Sequence, residues 1–280
     1  MDLISKLSQL DRRWIFILVA IFVIVPQIIP VALPIEPVPP VISIFDYIEN
    51  LPEGSRVMFA FDYSPASEAE LYPMSIALMR HCFERKLRVL TCTLNVTGKG
   101  VISRAFSEME EEYDITHGID YVDFGFQVGG FLVIIQAGKD FIQALPVARA
   151  QRTQDMEITK GIEKIGQIDY VIDIASGSTV DWWVAYGKEA YGFELGAGCT
   201  AVMATQFYPY LDTGQLNGLI GGLKGVAEYE ILLNDRYGDK EKTFLGLGTS
   251  GMSSQSAVHM LIVFLVLANN IIYFATRKKS

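Results

Sequence analysis

The sequence has few of the side chains that build disulfide frameworks and metal centres. It contains three cysteines and three histidines in 280 residues, with no Cys-x-x-Cys motif and no His/Cys ladder. These counts exclude a disulfide scaffold and a zinc-binding module, and we expect no metal and no cofactor. A bridge between Cys82 and Cys92 stays open at this point, although buried thiols are favoured. Cys199 lies among small residues, where packing is a commoner role for a free thiol than reactivity.

Nucleotide-binding and hydrolase motifs are also incomplete. Residues 97–100 (TGKG) resemble the end of a P-loop, but Thr93 occupies the position of its first glycine. The glycines after the third predicted strand do not have the dinucleotide-binding spacing Gly-x-Gly-x-x-Gly. Gly177 and Ser178 lack the Gly-x-Ser-x-Gly frame of a serine hydrolase. The chain therefore presents no complete catalytic set, and a non-enzymatic role is favoured.

Positive charge is scarce outside the two ends of the chain. The net charge is −9, and the residues between 14 and 276 include 17 basic and 30 acidic side chains, a balance of −13. Such a surface repels nucleic acid and anionic lipid headgroups, and it favours basic partners or cations. We therefore expect no nucleic-acid binding.

Two uncharged apolar segments, 14–33 and 257–276, bracket the rest of the chain. Each matches the roughly 20 residues that a helix needs to cross a hydrocarbon core. Basic residues precede the first segment and follow the second, so the positive-inside rule predicts cytoplasmic termini and a central domain outside. A cleaved signal peptide is the competing interpretation of the first segment, but residues 31–34 (VALP) form a poor cleavage site. The sequence thus predicts a multi-pass protein of the cell membrane.

These segments divide the chain into seven parts. Pro26 and the prolines that follow it predict that the first span kinks or ends early in a stiff spacer; the alternative is a helix break at a partner contact. Glycine and serine predict a flexible connection before the second span. The predicted parts are a cytoplasmic N-terminus (1–13), transmembrane helix 1 (14–33), a Pro-rich linker (34–41), an extracytoplasmic α/β domain (42–242), a Gly/Ser linker (243–256), transmembrane helix 2 (257–276) and a cytoplasmic tail (277–280).

The central part alternates short β-branched or aromatic runs with helical stretches, which is typical of βα units. Strands are predicted over residues 56–61, 87–94, 121–124, 131–136, 170–174 and 193–199. Ser67 and Glu70 form a predicted capping box at the start of the first long helix, and further helices are predicted over 100–113 and about 180–191. The expected fold class is α/β, with a mainly parallel sheet flanked by helices in a Rossmann-like, three-layer arrangement. One N-terminal and one C-terminal transmembrane helix anchor it.

Polar side chains follow three of the predicted strands. In open α/β sheets ligands bind beyond the carboxyl ends of the strands, so these residues form a candidate ligand-binding site. The candidates are Asp62, Ser64, Thr97, Gly98, Lys99, Asp173 and Ser176. The aspartates could hold a cation or a hydroxyl-bearing ligand, and the 97–99 segment could donate to an anion. The alternative, which is favoured, is that these residues serve as helix caps and turn formers.

The run of residues 214–225 (GQLNGLIGGLKG) is unusually rich in glycine. Glycines recur at helical spacing, so we predict a helix with a groove of bare backbone against which another element packs closely. The domain's own sheet is the favoured neighbour, and another subunit or a phosphate-bearing ligand is the alternative. Two amides inside the second apolar segment further predict helix association in the membrane. The predicted interface residues are Gly214, Gly218, Gly222, Asn269 and Asn270.

Two stretches of the central domain, 61–67 (FDYSPAS) and 221–230 (GGLKGVAEYE), carry a resemblance together with the second apolar segment. They resemble a family of uncharacterised prokaryotic membrane proteins with two transmembrane helices and a central α/β domain. The resemblance covers most of the chain. It implies the membrane topology given above, and it implies no activity.

Two functions follow as expectations. The first is a non-enzymatic structural or interaction subunit of a membrane protein assembly, which displays an acidic α/β domain and binds a second copy or another membrane protein. The alternative is a membrane-anchored domain or enzyme that binds a small ligand at the carboxyl ends of the parallel strands. In both cases membrane lipid is an expected partner.

Overall fold

The computed structural model describes residues 11–28, 34–239 and 242–277. The chain divides into two compact units. One is the central domain, Ile35–Gly248, and the other consists of the chain before and after it.

The C-terminal helix, α11 (Leu247–Arg277), is the one described helix that is long and apolar enough to cross a membrane, over Leu247–Phe274. Apolar side chains such as Phe264 and Leu267 are exposed along it. The helix begins earlier than the sequence suggested, because most of the Gly/Ser segment expected as a flexible join (243–256) is helical.

The N-terminal helix, α1 (Arg12–Ile28), is shorter and packs against α11. The Ser254 hydroxyl of α11 donates a hydrogen bond to the Val23 carbonyl of α1 at 3.0 Å. The predicted first span, 14–33, lies partly outside the described residues. One long apolar helix is therefore found, and a second membrane span stays a prediction.

The central domain is built on a six-stranded sheet in which every neighbouring pair is parallel. Its strands are β1 (Arg56–Asp62), β2 (Arg88–Thr93), β3 (Tyr121–Phe126), β6 (Tyr170–Ala175), β7 (Leu195–Cys199) and β8 (Gly218–Gly221). The order across the sheet is β3-β2-β1-β6-β7-β8. A short antiparallel hairpin of β4 (Val147–Ala148) and β5 (Gln151–Arg152) forms a separate two-stranded sheet. The chain thus winds outward in one direction from β1 and in the other from β6, which is the doubly wound arrangement.

Helices join the strands and cover both faces of the sheet. They are α2 (Pro39–Asn50), α3 (Glu68–Glu84), α4 (Gly98–Glu112), α5 (Phe131–Lys139), α6 (Phe141–Ala144), α7 (Thr179–Trp182), a π-helical segment (Trp183–Lys188), α8 (Glu189–Tyr191), α9 (Ala201–Asp212) and α10 (Gly222–Tyr237). Alternate residues of each strand face opposite layers, so that Phe59 and Phe61 belong to one buried cluster while Met58 and Ala60 belong to the other. The predicted α/β fold with a parallel sheet flanked by helices is confirmed.

The predicted strand at 131–136 is wrong, because these residues begin α5. A short apolar run does not distinguish a strand from a buried helix. The buried positions decide the matter: Ile134, Ala137, Gly138 and Phe141 have helical spacing. Gly130, with φ 58° and ψ −131°, turns the chain directly before this helix.

The predicted helix over 214–225 is also wrong in its first part, because Gly218–Gly221 form the edge strand β8 and α10 begins at Gly222. Close packing is present for a different reason. A Cβ atom on Gly218 would lie 2.5 Å from both Pro40 O and Ile44 Cγ1, since α2 rests on this strand. The partner of the glycine run is therefore the domain itself.

The predicted capping box at the start of α3 does not form, because Ser67 makes no side-chain capping hydrogen bond. Glu70 instead reaches another element. Its carboxylate accepts a hydrogen bond from the backbone N–H of Ala201, at the first residue of α9, at 2.9 Å. Glu70 thus ties α3 to α9, a role that spacing along the chain does not reveal.

Candidate functional site

The sheet reverses its winding direction between β1 and β6, and two aspartates stand at the carboxyl ends of these strands. Asp62 is the last residue of β1, and Asp173 lies near the end of β6, paired in register with Ala60. Residues 60 and 62 face the same side of the sheet, so both carboxyl groups point into the same layer. In doubly wound sheets this switch point is where ligands bind.

Asp62 is buried and held by three donors. Its Oδ1 accepts the backbone N–H of Leu94 at 2.6 Å and the hydroxyl of Thr93 at 3.3 Å. Its Oδ2 accepts the indole N–H of Trp183 at 3.5 Å. The carboxylate thereby ties the end of β1 to the loop after β2 and to the helical segment after β6.

Asp173 is fully buried, and neither of its carboxyl oxygens has a hydrogen-bond partner. The hydroxyl of Thr179 is likewise buried and without a partner. Asp62 and Thr179 both act on the pKa of Asp173 from within hydrogen-bonding reach, so they lie beside it, although neither pair has the geometry of a formed hydrogen bond. Buried polar groups are nearly always paired, so unpaired oxygens here call for an explanation.

The electrostatics of the pair follow from its burial. Burial raises the pKa of Asp62 from its ordinary value of 3.8 to about 6, against the opposing effect of its hydrogen bonds. Burial, followed by the charge of Asp62, raises the pKa of Asp173 well above its ordinary range. Two carboxyl groups this close cannot both ionise without a compensating charge, so the pair keeps a proton at neutral pH.

Trp183 reaches Asp62 from a π-helical segment, Trp183–Lys188. Such segments are rare and are frequent at functional sites. The preceding residue, Trp182, points elsewhere: its ring packs on Gly130 and meets Phe131 edge to face at 6.1 Å. Trp183 thus contacts the carboxyl pair, whereas Trp182 packs against the start of α5.

Most of the other predicted ligand-binding residues do not converge on this pair. Thr97 is engaged in a local turn, because its backbone N–H and its hydroxyl both donate to the side chain of Asn95. Lys99 is exposed, and its charge acts on Asp123, where it opposes the rise in pKa that burial causes, and not on the pair. Ser176 lies next to Asp62, since its backbone N–H donates to the Asp62 carbonyl at 3.3 Å.

Two further predicted residues are structural in this arrangement. Gly98 begins α4 and allows it to approach β1, because a Cβ atom there would lie 2.5 Å from Phe61 O. The backbone carbonyl of Ser64 accepts a hydrogen bond from Ser67 N in the turn after β1. Asp62 and Asp173 are thus the two predicted candidates that the fold brings together.

Three residues of the site are not among the candidates that the sequence predicts: Thr93, Thr179 and Trp183. Thr93 and Thr179 stand at a strand end and a helix start, a position that marks many structural residues as well. Nothing in the sequence indicates that Trp183, and not Trp182, turns toward the carboxyl pair.

The three cysteines are free and buried, so the buried-thiol interpretation is the right one. Burial raises the pKa of Cys199 to about 12, which makes its thiol unreactive at neutral pH. Among the described residues no group of three or more His, Cys, Asp or Glu side chains is placed to hold a metal ion.

The predicted interface residues separate into two sets. Gly218 and Gly222 are consumed by packing inside the domain, and Gly214 is open, with a φ of 73° that favours glycine. Asn269 and Asn270 are exposed on α11. The glycines therefore offer no bare groove to a second subunit, whereas the amides are available to one.

Comparison with known proteins leaves the family open. No protein-family model, curated protein or solved structure matches this chain, so the sequence resemblance to two-span membrane proteins stays a prediction.

Proposed function

We propose that this chain is a membrane-anchored α/β domain that binds a small ligand at the switch point between β1 and β6. The observation that carries the proposal is Asp173, which is fully buried and has two carboxyl oxygens without partners beside a second buried carboxyl group. An unpaired buried carboxyl group costs stability, and such costs persist where function requires them.

The chemistry of the pair restricts the ligand. Carboxyl oxygens accept hydrogen bonds or bind cations, so an anionic group would be repelled. The unpaired hydroxyl of Thr179 adds a group that both donates and accepts. The site therefore fits a ligand that presents hydroxyl or amino groups, or a hard cation that prefers oxygen ligands.

Thermal unfolding of the full-length chain in detergent tests the proposal. The probes are Mg²⁺, Ca²⁺, ethanolamine and glucose, which represent the cationic, amino and hydroxyl classes. A ligand present at 100 times its Kd stabilises the folded state by about 2.7 kcal/mol, so a probe that binds raises the melting temperature. Asp173→Asn keeps the shape of the side chain but removes its charge, and it should abolish the rise.

Asp114→Asn is the matched control, because Asp114 is exposed and precedes β3, at the amino end of the sheet. A probe that stabilises the wild type and Asp114→Asn equally, but not Asp173→Asn, supports the proposal. Equal stabilisation of all three proteins would place binding elsewhere and refute it. Native mass spectrometry of the chain extracted from membranes extends the search to a ligand that co-purifies.

The second candidate function is an interaction subunit of a membrane protein assembly. Asn269 and Asn270 favour it, because amides on a helix that crosses a bilayer need hydrogen-bond partners that lipid cannot supply. Replacement of both residues by leucine should reduce the oligomer size seen by mass photometry in mild detergent. A wild-type chain that runs as a monomer would remove this function.

The proposed membrane placement has two spans, cytoplasmic termini and an extracytoplasmic domain. It is supported by the basic residues beyond both apolar segments and by the exposed apolar side chains of α1, such as Phe16 and Ile24. A partner that associates through these helices would do so within the bilayer.

A further inference from the structure

The carboxyl edge of the sheet carries four of the five most exposed large apolar side chains among the described residues of the central domain. They come from loops or first helical turns that follow three different strands, β2, β3 and β7. The four residues, with their exposed fractions, are Val96 (68%), Val128 (84%), Leu132 (57%) and Val202 (81%). We call them the carboxyl-edge surface. Loops at this end of a sheet are usually polar, so four apolar residues from three separate connections form a pattern.

The loops at the same edge carry little charge. One residue in five of the whole chain is charged. Lys99 is the single charged residue in the six segments that follow the strands, which are 63–67, 94–100, 127–132, 176–180, 200–203 and 221–223.

The charged side chains in the first helical turns at this edge are paired. Glu68 bonds Arg104, Glu70 accepts the N–H of Ala201, Asp181 accepts the hydroxyl of Tyr210, and Lys224 pairs with Glu228. In a domain with a balance of −13, this edge therefore repels a lipid surface less than an unpaired acidic surface would.

The path of the chain out of the domain points to the same edge. Asn234 of α10 accepts a hydrogen bond from Phe244 N at 3.2 Å, and Glu230, one turn earlier in α10, accepts from Gly246 N and Gly248 N at 3.0 and 2.9 Å. Residues 244–248 therefore run back along α10 toward its first residue, Gly222. That residue follows β8 at the carboxyl edge, so the chain leaves the domain on this side.

We infer that the carboxyl-edge surface contacts the membrane, with the apolar side chains of Val96, Val128, Leu132 and Val202 in the interfacial layer of the bilayer. The inference rests on the membrane anchoring in the proposed function. Lipid is the occupant that the observations favour, because the surface consists of separate loop tips without charge and lies where the chain departs toward α11.

The test uses the full-length chain in vesicles of phosphatidylcholine and phosphatidylglycerol. Val128→Cys is labelled with the environment-sensitive dye NBD, which is selective because the three native cysteines are buried. Val128 is the most exposed of the four residues, so its replacement should not disturb packing. Glu111→Cys, on the exposed face of α4, is the matched control.

The inference predicts that, in vesicles, NBD at position 128 emits at a shorter wavelength than NBD at position 111. Lipids with a nitroxide near the headgroup should quench the emission from position 128. NBD at position 111 should show neither effect. If the protein floats with the vesicles but NBD at position 128 emits as it does in water, the inference is wrong and the membrane anchoring still holds.

Two other outcomes are informative. A blue shift that nitroxide lipid does not quench, and that grows with protein density, would assign the surface to a protein partner and overturn the lipid contact. Failure of the chain to float would refute the anchoring itself, and the inference with it. The Asp173→Asn melting experiment is independent of both readouts, so failure of the ligand site is seen separately.

Discussion

The most direct consequence of the buried carboxyl pair is a stability that falls as the pH rises. The pKa of Asp62 is raised from 3.8 to about 6, mainly by burial. A carboxyl group whose pKa is raised on folding favours the folded state while it is protonated, below about pH 4, and this contribution is lost as the pH rises through 6. Each unit of pKa is about 1.4 kcal/mol, so the loss is about 3 kcal/mol.

Asp62→Asn removes this penalty and keeps most of the contacts. The amide oxygen can accept the N–H of Leu94, and the amide nitrogen can donate to the unpaired carboxyl group of Asp173. We therefore expect the variant to match the wild type near pH 4 and to exceed it by about 3 kcal/mol near pH 8. The gain would come from a site where function and stability oppose each other.

Urea unfolding of the full-length chain in detergent, followed by tryptophan fluorescence between pH 4 and pH 8, measures the difference. Asp114→Asn serves again as the control, because it removes one exposed carboxyl group from the same chain. A difference between Asp62→Asn and wild type that does not change with pH would refute the linkage argument. So would a variant that is less stable than wild type at pH 8.

Two further predictions rest on contacts outside the site, and a third rests on the proposed membrane topology. Gly218→Ala should lower the free energy of unfolding by about 1–3 kcal/mol, because its Cβ would meet α2. Gly100→Ala, with open space around it in α4, should be neutral or slightly stabilising. Equal urea midpoints for the two variants would contradict this prediction. Glu230→Ala should lower the free energy of unfolding by about 1–3 kcal/mol, because it leaves two backbone N–H donors unpaired. Hydrogen exchange at residues 246–248 should then increase. Unchanged exchange there would show that Glu230 does not fix residues 246–248 against α10. A cysteine at position 111 should react with a membrane-impermeant maleimide on intact cells, and labelling only after lysis would invert the proposed topology.

The sequence by itself determined the class of the fold and the positions of most of its elements. Strands such as 56–62 and 170–175 are short, β-branched or aromatic, and separated by helical stretches, a local signal that survives in any arrangement of neighbours. The ends of those strands also placed Asp62 and Asp173 among the candidates, since residues after parallel strands share one edge. The run of 257–276 likewise marked a helix that can cross a membrane, because length and apolarity are local properties.

Only the tertiary structure decided which strands are neighbours, and hence that Asp62 and Asp173 meet. Strand order depends on burial between segments more than 100 residues apart, and no local pattern encodes it. The same reason explains the errors: residues 131–136 are apolar enough for either structure, and packing on the sheet selected the helix. The glycines at 218 and 222 have helical spacing, but pairing of Gly218–Gly221 with β7 and contact with α2 made the first part a strand. Trp183 joined the site because the π-helical segment directs its ring inward, which depends on the neighbours that the segment packs against.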